Sequence, residues 1–203
     1  MSVLLRLRAL TGAALATALA TFSAQVASQD VQKVLERDFQ ARGQATMDRV
    51  VQDELQRICT ESGDKPPAQV AKTLEAQQMK TIRFPDGGVL GDWQRGERIA
   101  QGGRGLTWTD KAGTPGDGSC YNCHQISPRE ASFGTLGPSL YRFGALRGYG
   151  PEIQKYVYGK IYNAKAYNLC SQMPRLGYSG TLTAEQIKDL VALLLDPASP
   201  VNQ

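Results

Sequence analysis

The sequence predicts a mostly α-helical fold with a helical extension before its main domain. Apolar residues recur at intervals of three and four in several stretches, as they do on one face of an α-helix. The last of these stretches has a capping signal at its start and a proline after its end. No two stretches show the alternating pattern that a pair of hairpin strands requires.

The N-terminal segment has the pattern of a secretory signal peptide. Arg6 and Arg8 form a short positive region, and a mostly apolar run follows over residues 9–20. This run is shorter than the roughly 20 residues of a membrane span and is rich in Ala, Thr and Gly. We expect export with removal of residues 1–28, which leaves no membrane span. An uncleaved N-terminal anchor is the alternative.

Residues 29–85 are predicted to form the helical extension. Helical spacing runs through residues 30–59, where Gly43 is expected to bend or divide the helix. A linker rich in Gly, Pro and charge follows at 61–69, and residues 70–80 are predicted to form one more short helix.

The main domain, residues 86–203, is predicted to hold three principal helices joined by long irregular loops. The first runs for about ten residues from Asp92 and ends at paired glycines. The second, residues 151–163, opens with a proline, which is favoured at the first helical position. The third begins at Thr183, whose side chain can cap the helix. The Gln186 side chain, at the third helical position, can in turn accept from the Thr183 backbone amide, which makes a capping box.

The charge of the chain argues against a nucleic-acid partner. The formal net charge is +4, and half of this excess comes from Arg6 and Arg8 in the predicted signal peptide. Nucleic-acid-binding domains need a concentrated basic face, which the sequence does not offer.

Two of the four cysteines stand beside the one histidine in Cys-Tyr-Asn-Cys-His, residues 120–124. At about 100° per residue, Cys120, Cys123 and His124 crowd onto one side of a helical turn. The two thiols can then form thioethers with the vinyl groups of one haem, while the imidazole reaches the iron. This spacing is an attachment signature of c-type haem. The motif therefore predicts one covalently attached haem c, with His124 as an axial iron ligand.

Three other uses of the motif were open on the residues alone. A zinc site needs four ligands, but Cys59 and Cys170 are isolated and there is no second histidine. A thioredoxin-like redox pair needs an apolar strand running into the motif, whereas the approach here is KAGTPGDGS. The third use is a structural disulfide between the two motif cysteines. Haem attachment is the interpretation that the residues favour.

One histidine binds iron from one side only, so the sixth ligand must be another residue or be absent. Methionine sulfur is the common partner in electron-carrying cytochromes, where it raises the reduction potential. Met173 is favoured because it lies in a loop just before the last helix, where Pro174 restricts the backbone. Cys170 is the runner-up, and Met47 and Met79 lie in predicted helices.

These motifs together resemble a class I cytochrome c. The stretch DWQRGERIA would be its N-terminal helix, in which Gly96 allows close crossing against the last helix. The carbonyl of Pro138 in GPSL would hold the imidazole of His124, and MPRLG would supply the sixth ligand. More specifically, GTLGPSLYRFG and MPRLGYSGTLTAEQIKDLVALLLDPASPVN resemble the SoxX family, the monohaem subunits of SoxAX cytochrome complexes. The resemblance covers residues 92–202.

The resemblance implies a periplasmic electron-transfer subunit in a heterodimer with a SoxA-type haem subunit. In such complexes thiosulfate is oxidatively coupled to a cysteine of the carrier protein SoxYZ. The electrons reach the SoxX haem and then a small cytochrome. The L-cysteine S-thiosulfotransferase chemistry belongs to the SoxA side, so this chain is expected to be non-catalytic. A free-standing soluble cytochrome c is the alternative, and a haem-based sensor would need an open sixth position.

Cys59 and Cys170 remain once haem takes the other two cysteines. In an oxidising compartment an even remainder favours a disulfide, which would tie the extension to the loop of Met173. Two buried thiols, or a bridge to another subunit, are the alternatives.

Candidate donors to the haem propionates are Trp108, Tyr141, Arg142 and Arg175.

Overall fold

Helices and irregular loops make up residues 33–203, the part of the chain that the computed structural model describes. No strand is present within these residues, so the predicted mostly α fold is confirmed. The predicted signal peptide, residues 1–28, lies outside the described residues. None of the helices within residues 33–203 combines the length and the apolar character that crossing a bilayer requires.

The described residues fall into two units. Residues 33–42 and 46–51 belong to the first, which contains a helical stretch at 33–38 and a 3₁₀ turn at Met47–Val50. Residues 43–45 and 52–203 form the second. Residues 52–85 of the predicted extension thus share one unit with the main domain.

Six α-helices lie within residues 52–203. Their bounds are α1 Glu54–Glu61, α2 Ala68–Met79, α3 Trp93–Gln101, α4 Phe143–Arg147, α5 Pro151–Tyr162 and α6 Ala184–Leu195. Short 3₁₀ turns lie at Cys120–Asn122, Ala164–Ala166 and Pro200–Asn202.

The helical run predicted over residues 30–59 is divided, as expected at Gly43, but more widely than the sequence indicated. Gly43 adopts a φ of 54°, a left-handed conformation that a continuing helix does not allow, and a Cβ at this position would collide with the carbonyl oxygen of Trp108. Helix α1 begins only at Glu54. Its start is set by a capping box, in which Asp53 accepts from the Gln56 backbone and the Gln56 side chain accepts from the Asp53 backbone.

The three helices predicted in the main domain are confirmed. Asp92 caps α3 by accepting from the amides of Gln94 and Arg95. Helix α6 has the expected capping box between Thr183 and Gln186. Helix α4 was not predicted, because it is only five residues long and lacks a side-chain cap.

The main core lies where α3 crosses α6. Gly96 of α3 faces the backbone of Asp189, so closely that an added Cβ would collide with its carbonyl oxygen. The predicted role of Gly96 in a close helix crossing is thus confirmed. The buried residues Ile99, Leu190 and Leu193 belong to the hydrophobic cluster at this crossing.

A second, smaller cluster joins the extension to the chain before α6. Leu55 and Cys59 of α1 are buried against Leu169, and the half-buried Cys170 packs beside them. The chain just before Met173 therefore packs against α1.

Candidate functional site

The motif of residues 120–124 forms one tight turn. The amides of Cys123 and His124 both donate to the carbonyl of Cys120, over 3.1 and 2.9 Å. Ser119 opens the turn with a φ of 47°. Cys120, Cys123 and His124 are therefore held on a single turn, and both thiols are free and half-buried.

Backbone hydrogen bonds fix this turn to the end of α3. The amide of Gly118 donates to the carbonyl of Ile99 over 2.8 Å, and the amide of Ser119 donates to that of Gly102 over 2.9 Å. A Cβ on Gly118 would lie 2.8 Å from the sulfur of Cys120, so only glycine allows the thiol to approach the backbone here.

On its other side the turn is bonded to the chain that follows it. The amides of Gly134, Gly137 and Leu140 donate to the carbonyls of Tyr121, Cys123 and Gln125, over 2.7, 2.8 and 2.7 Å. The GPSL stretch is thereby held along the motif. Its irregular backbone follows from its glycine and proline content.

His124 is oriented by Pro138. Its Nδ1 lies 2.7 Å from the Pro138 carbonyl oxygen, and because a carbonyl only accepts, Nδ1 carries the proton and donates. The unprotonated Nε2 is then available as a metal ligand. The imidazole packs against Gly137, where an added Cβ would collide with the ring. The hydrogen bond that the cytochrome resemblance implied for Pro138 is present.

The thiol of Cys120 lacks the lowered pKa of a reactive redox cysteine. Burial raises the pKa of Cys120 to about 12, and the neighbouring Cys123 adds to the rise. Reactive redox cysteines have lowered pKa values and exposed thiolates.

Side chains that could ligate a metal also lie together at Cys59, Asp64 and Cys170. The two sulfurs of this group are bonded to each other as a disulfide, so neither is available as a thiolate ligand.

The residues present fit covalent haem attachment by their chemistry. Two unpaired thiols and one imidazole with a free Nε2 share one turn, which is the donor set of a c-type site. Cys120, Leu140 and Met173 all pack against the main hydrophobic cluster. A hydrophobic surround of this kind excludes water from a bound metal and tunes its potential.

Met173 and two of the other predicted ligand candidates, Met79 and Cys170, lie in different local surroundings. Met173 is half-buried in the loop between α5 and α6. Met79 ends α2 and is 37% exposed. Cys170 is bonded to Cys59, with their Cα atoms 5.4 Å apart, and so has no free thiolate for a metal.

The structure also contains an ion pair that the sequence did not reveal. Arg175, two residues after Met173, forms an ion pair with Asp53 and lies 4.9 Å from the ring centre of Tyr178. Tyr141 donates its hydroxyl to the Gln203 carbonyl over 3.1 Å. Arg175 and Tyr141, both candidate propionate donors, therefore already bind other protein groups. The ion pair joins residues far apart in sequence, so local pattern could not predict it.

Comparison with known proteins identifies a relative. No family model matches the chain. An uncharacterized lipoprotein of Aquifex aeolicus (strain VF5) is 40% identical over 155 residues, which cover 75% of this chain and 73% of that protein. The chain belongs to the family of this lipoprotein. Among solved structures, a chain in the crystal structure of SoxXA from P. pantotrophus is similar to 58% of this family member. The match covers 95% of that chain, with 25% identity and a TM-score of 0.41.

Proposed function

We propose that this chain is an exported c-type cytochrome that transfers electrons through one haem. The observation that carries the proposal is the 2.7 Å hydrogen bond from His124 Nδ1 to Pro138, on a turn with two free thiols. This bond sets the tautomer that frees Nε2 for iron. Cys120 and Cys123 would form the thioethers, and His124 would be the proximal ligand.

Met173 is proposed as the sixth ligand. Cys170, the runner-up, is already bonded to Cys59, and Met79 is exposed at the end of α2. Met173 shares a hydrophobic cluster with Cys120. Haem iron held by His and Met exchanges single electrons and has a high potential. With protein ligands on both faces, no position remains for substrate, which favours electron transfer over bond making.

Export is supported by three further observations. The disulfide between Cys59 and Cys170 belongs to oxidising compartments, and the N-terminal segment has the pattern of a signal peptide. The relative from Aquifex aeolicus is named a lipoprotein, which also fits a protein outside the cytoplasm. We place the chain in the periplasm.

The finer proposal is that the chain is a SoxX-type subunit. It rests on the resemblance of residues 92–202 to that family. The partner would be a SoxA-type haem subunit, which performs the coupling of thiosulfate to a cysteine of SoxYZ. This chain would take up the resulting electrons and pass them to a small cytochrome. Purification from the native host distinguishes this role from a free-standing cytochrome c. A stable complex with a second haem protein supports the SoxX role, and a lone monomer supports the free shuttle.

Mass spectrometry tests haem attachment itself. The protein is expressed with a c-type maturation system and denatured, and its intact mass is measured. We expect the apoprotein mass plus one haem, and loss of the covalent haem in Cys120→Ala/Cys123→Ala. The matched control Cys59→Ser/Cys170→Ser should still carry haem. An apoprotein mass for the matured wild type would overturn the proposal.

A further inference from the structure

We propose that helix α1 positions the iron-binding methionine by holding its loop at two points. The Met173 segment is defined here as residues 170–175. The inference rests on the proposed role of Met173 as a ligand. Helix α1 binds this segment on both sides of Met173, through Cys59 at Cys170 and through Asp53 at Arg175.

The first attachment is the disulfide and its surroundings. Cys59 is buried in α1, and Leu169, just before the segment, is buried in the same small cluster. The amide of Leu169 donates to the carboxylate of Glu75 on α2 over 2.9 Å. The carbonyl of Leu169 accepts from the Nζ of buried Lys165 over 2.8 Å. The side chain of Leu169 and both of its backbone polar groups therefore have partners just before the segment begins.

The second attachment is the ion pair between Arg175 and Asp53. The two carboxylate oxygens of Asp53 have different partners. Its Oδ1 accepts from the Gln56 amide over 2.8 Å, which caps α1, and its Oδ2 binds the Arg175 guanidinium. The Arg175 side chain is only 18% exposed and also lies over the ring of Tyr178. A partly buried and stacked guanidinium has less freedom to leave its partner than a surface lysine.

Between these attachments the segment is held by local bonds. The amide of Ser171 donates to the Asn168 carbonyl over 3.0 Å, and the amide of Met173 donates to the hydroxyl of Ser171 over 3.3 Å. Bonds between near neighbours shape the loop without fixing its place in the domain. The place of Met173 is therefore set by the packing of its side chain and by the two attachments to α1.

This arrangement has a consequence for ligand binding. A methionine on a loose loop would leave the iron more often than one on a loop anchored at both ends. Each departure opens the sixth position to an external ligand such as carbon monoxide. Asp53 and Arg175 are thus positioning residues, which act through Met173 without touching the iron. Loss of either attachment should raise the apparent affinity of the reduced protein for carbon monoxide.

Substitutions on α1 separate this role from general stability. Asp53→Asn keeps a good capping residue but removes the charge that binds Arg175. Cys59→Ser/Cys170→Ser removes the disulfide. Arg57→Gln is the matched control, because Arg57 pairs with Glu61 on the exposed face of the same helix. We expect carbon monoxide affinity to rise by about two- to fivefold in Asp53→Asn, as the loss of a partly exposed ion pair implies, and by more in Cys59→Ser/Cys170→Ser.

A second readout follows the segment directly. In hydrogen exchange followed by mass spectrometry, peptides covering residues 170–175 should exchange faster in both variants, with α6 unchanged. Arg57→Gln should match wild type in both measurements. Wild-type exchange in the segment and wild-type carbon monoxide affinity in both variants would overturn the inference.

The reference variant Met173→Ala keeps the two proposals distinguishable. If wild type and Met173→Ala bind carbon monoxide equally well, Met173 is not a ligand and the proposed function fails at that point. If Met173→Ala binds carbon monoxide far more tightly than wild type but the α1 variants do not, the assignment of Met173 as a ligand is supported. Only the positioning role of Asp53 and the disulfide then fails.

Discussion

Arg95 of α3 binds the buried carboxylate of Asp189 in α6 through two hydrogen bonds of 2.9 Å. Asp189 is only 4% exposed, and its Oδ1 also accepts from the amide of Asp92 over 2.8 Å. One carboxylate therefore ties the start of α3 to α6 at the crossing where Gly96 lies against Asp189. The turn of residues 120–124 is hydrogen-bonded to the end of α3 through Gly118 and Ser119, so the crossing helps to set where this turn lies.

Asp189→Ala should destabilise the protein. The substitution removes two charge-assisted hydrogen bonds and leaves the Asp92 amide without its partner, which we expect to cost about 1–3 kcal/mol in free energy of unfolding. Urea denaturation followed by circular dichroism measures the change. The control Lys188→Gln removes a surface pair with Glu185 on the same helix and should change stability by less than about 0.5 kcal/mol. Equal effects of the two substitutions would contradict the assignment.

Gly137→Ala should disturb the proximal histidine. The added methyl group would occupy the space of the His124 ring, so the imidazole must turn away from Pro138. Loss of a hydrogen bond that orients a metal ligand typically weakens metal binding by about tenfold or more. The haem-to-protein absorbance ratio after maturation should fall. Ser139→Ala removes the hydroxyl that donates to the Gln125 side chain and accepts from the Tyr141 amide, without touching His124, and should leave this ratio unchanged.

Met173→Ala should abolish the weak sulfur-to-iron absorption at the red end of the ferric spectrum. It should also lower the reduction potential, because a methionine ligand raises it. Visible spectroscopy and a potentiometric titration measure the two effects. Met79→Ala is the control and should behave as wild type, since Met79 lies at the exposed end of α2. If Met79→Ala loses the absorption and Met173→Ala keeps it, the ligand is misassigned.

The contribution of Asp53 to stability should depend on pH. Burial opposes ionisation of this carboxylate, but hydrogen bonds from the Gln56 amide and from Arg175 outweigh burial and lower its pKa. A lowered folded pKa stabilises the protein above the unfolded value of about 3.9. This stabilisation is lost as the pH falls through the folded pKa.

Asp53→Asn measures that contribution. At neutral pH the wild type should be more stable than the variant by about 0.5–1 kcal/mol, a small amount because the carboxylate is partly exposed. Urea denaturation at a series of pH values should show this difference shrinking below about pH 4. A difference that stays constant down to pH values well below the unfolded pKa would show that charge is not involved.

Local signals in the sequence were sufficient for the three principal helices of the main domain and for the motif turn. Helix α6 is specified by residues within one turn of its start, Thr183 and Gln186, and by its own apolar face. The attachment motif is likewise local, because three residues spaced within five positions fall on one turn wherever that turn is placed. The extension was predicted less well. Gly43 indicated a division of its helical run, but the spacing did not reveal that residues 39–53 contain no α-helix and that α1 begins only at Glu54.

The sequence by itself thus determined the helical class, the three principal helices of the main domain and the placing of Cys120, Cys123 and His124 on one turn. It favoured a bridge between Cys59 and Cys170 without excluding the alternatives. Only the tertiary structure decided that these two cysteines meet, that Asp53 meets Arg175, and that α1 therefore contacts the Met173 segment at two points. Helix caps and turns depend on hydrogen bonds between residues a few positions apart, so the residue types at those positions predict the caps and turns. Contacts across more than a hundred residues depend on how the helices pack. Packing constrains side-chain volume and burial over the whole domain and leaves no periodic signal in the chain.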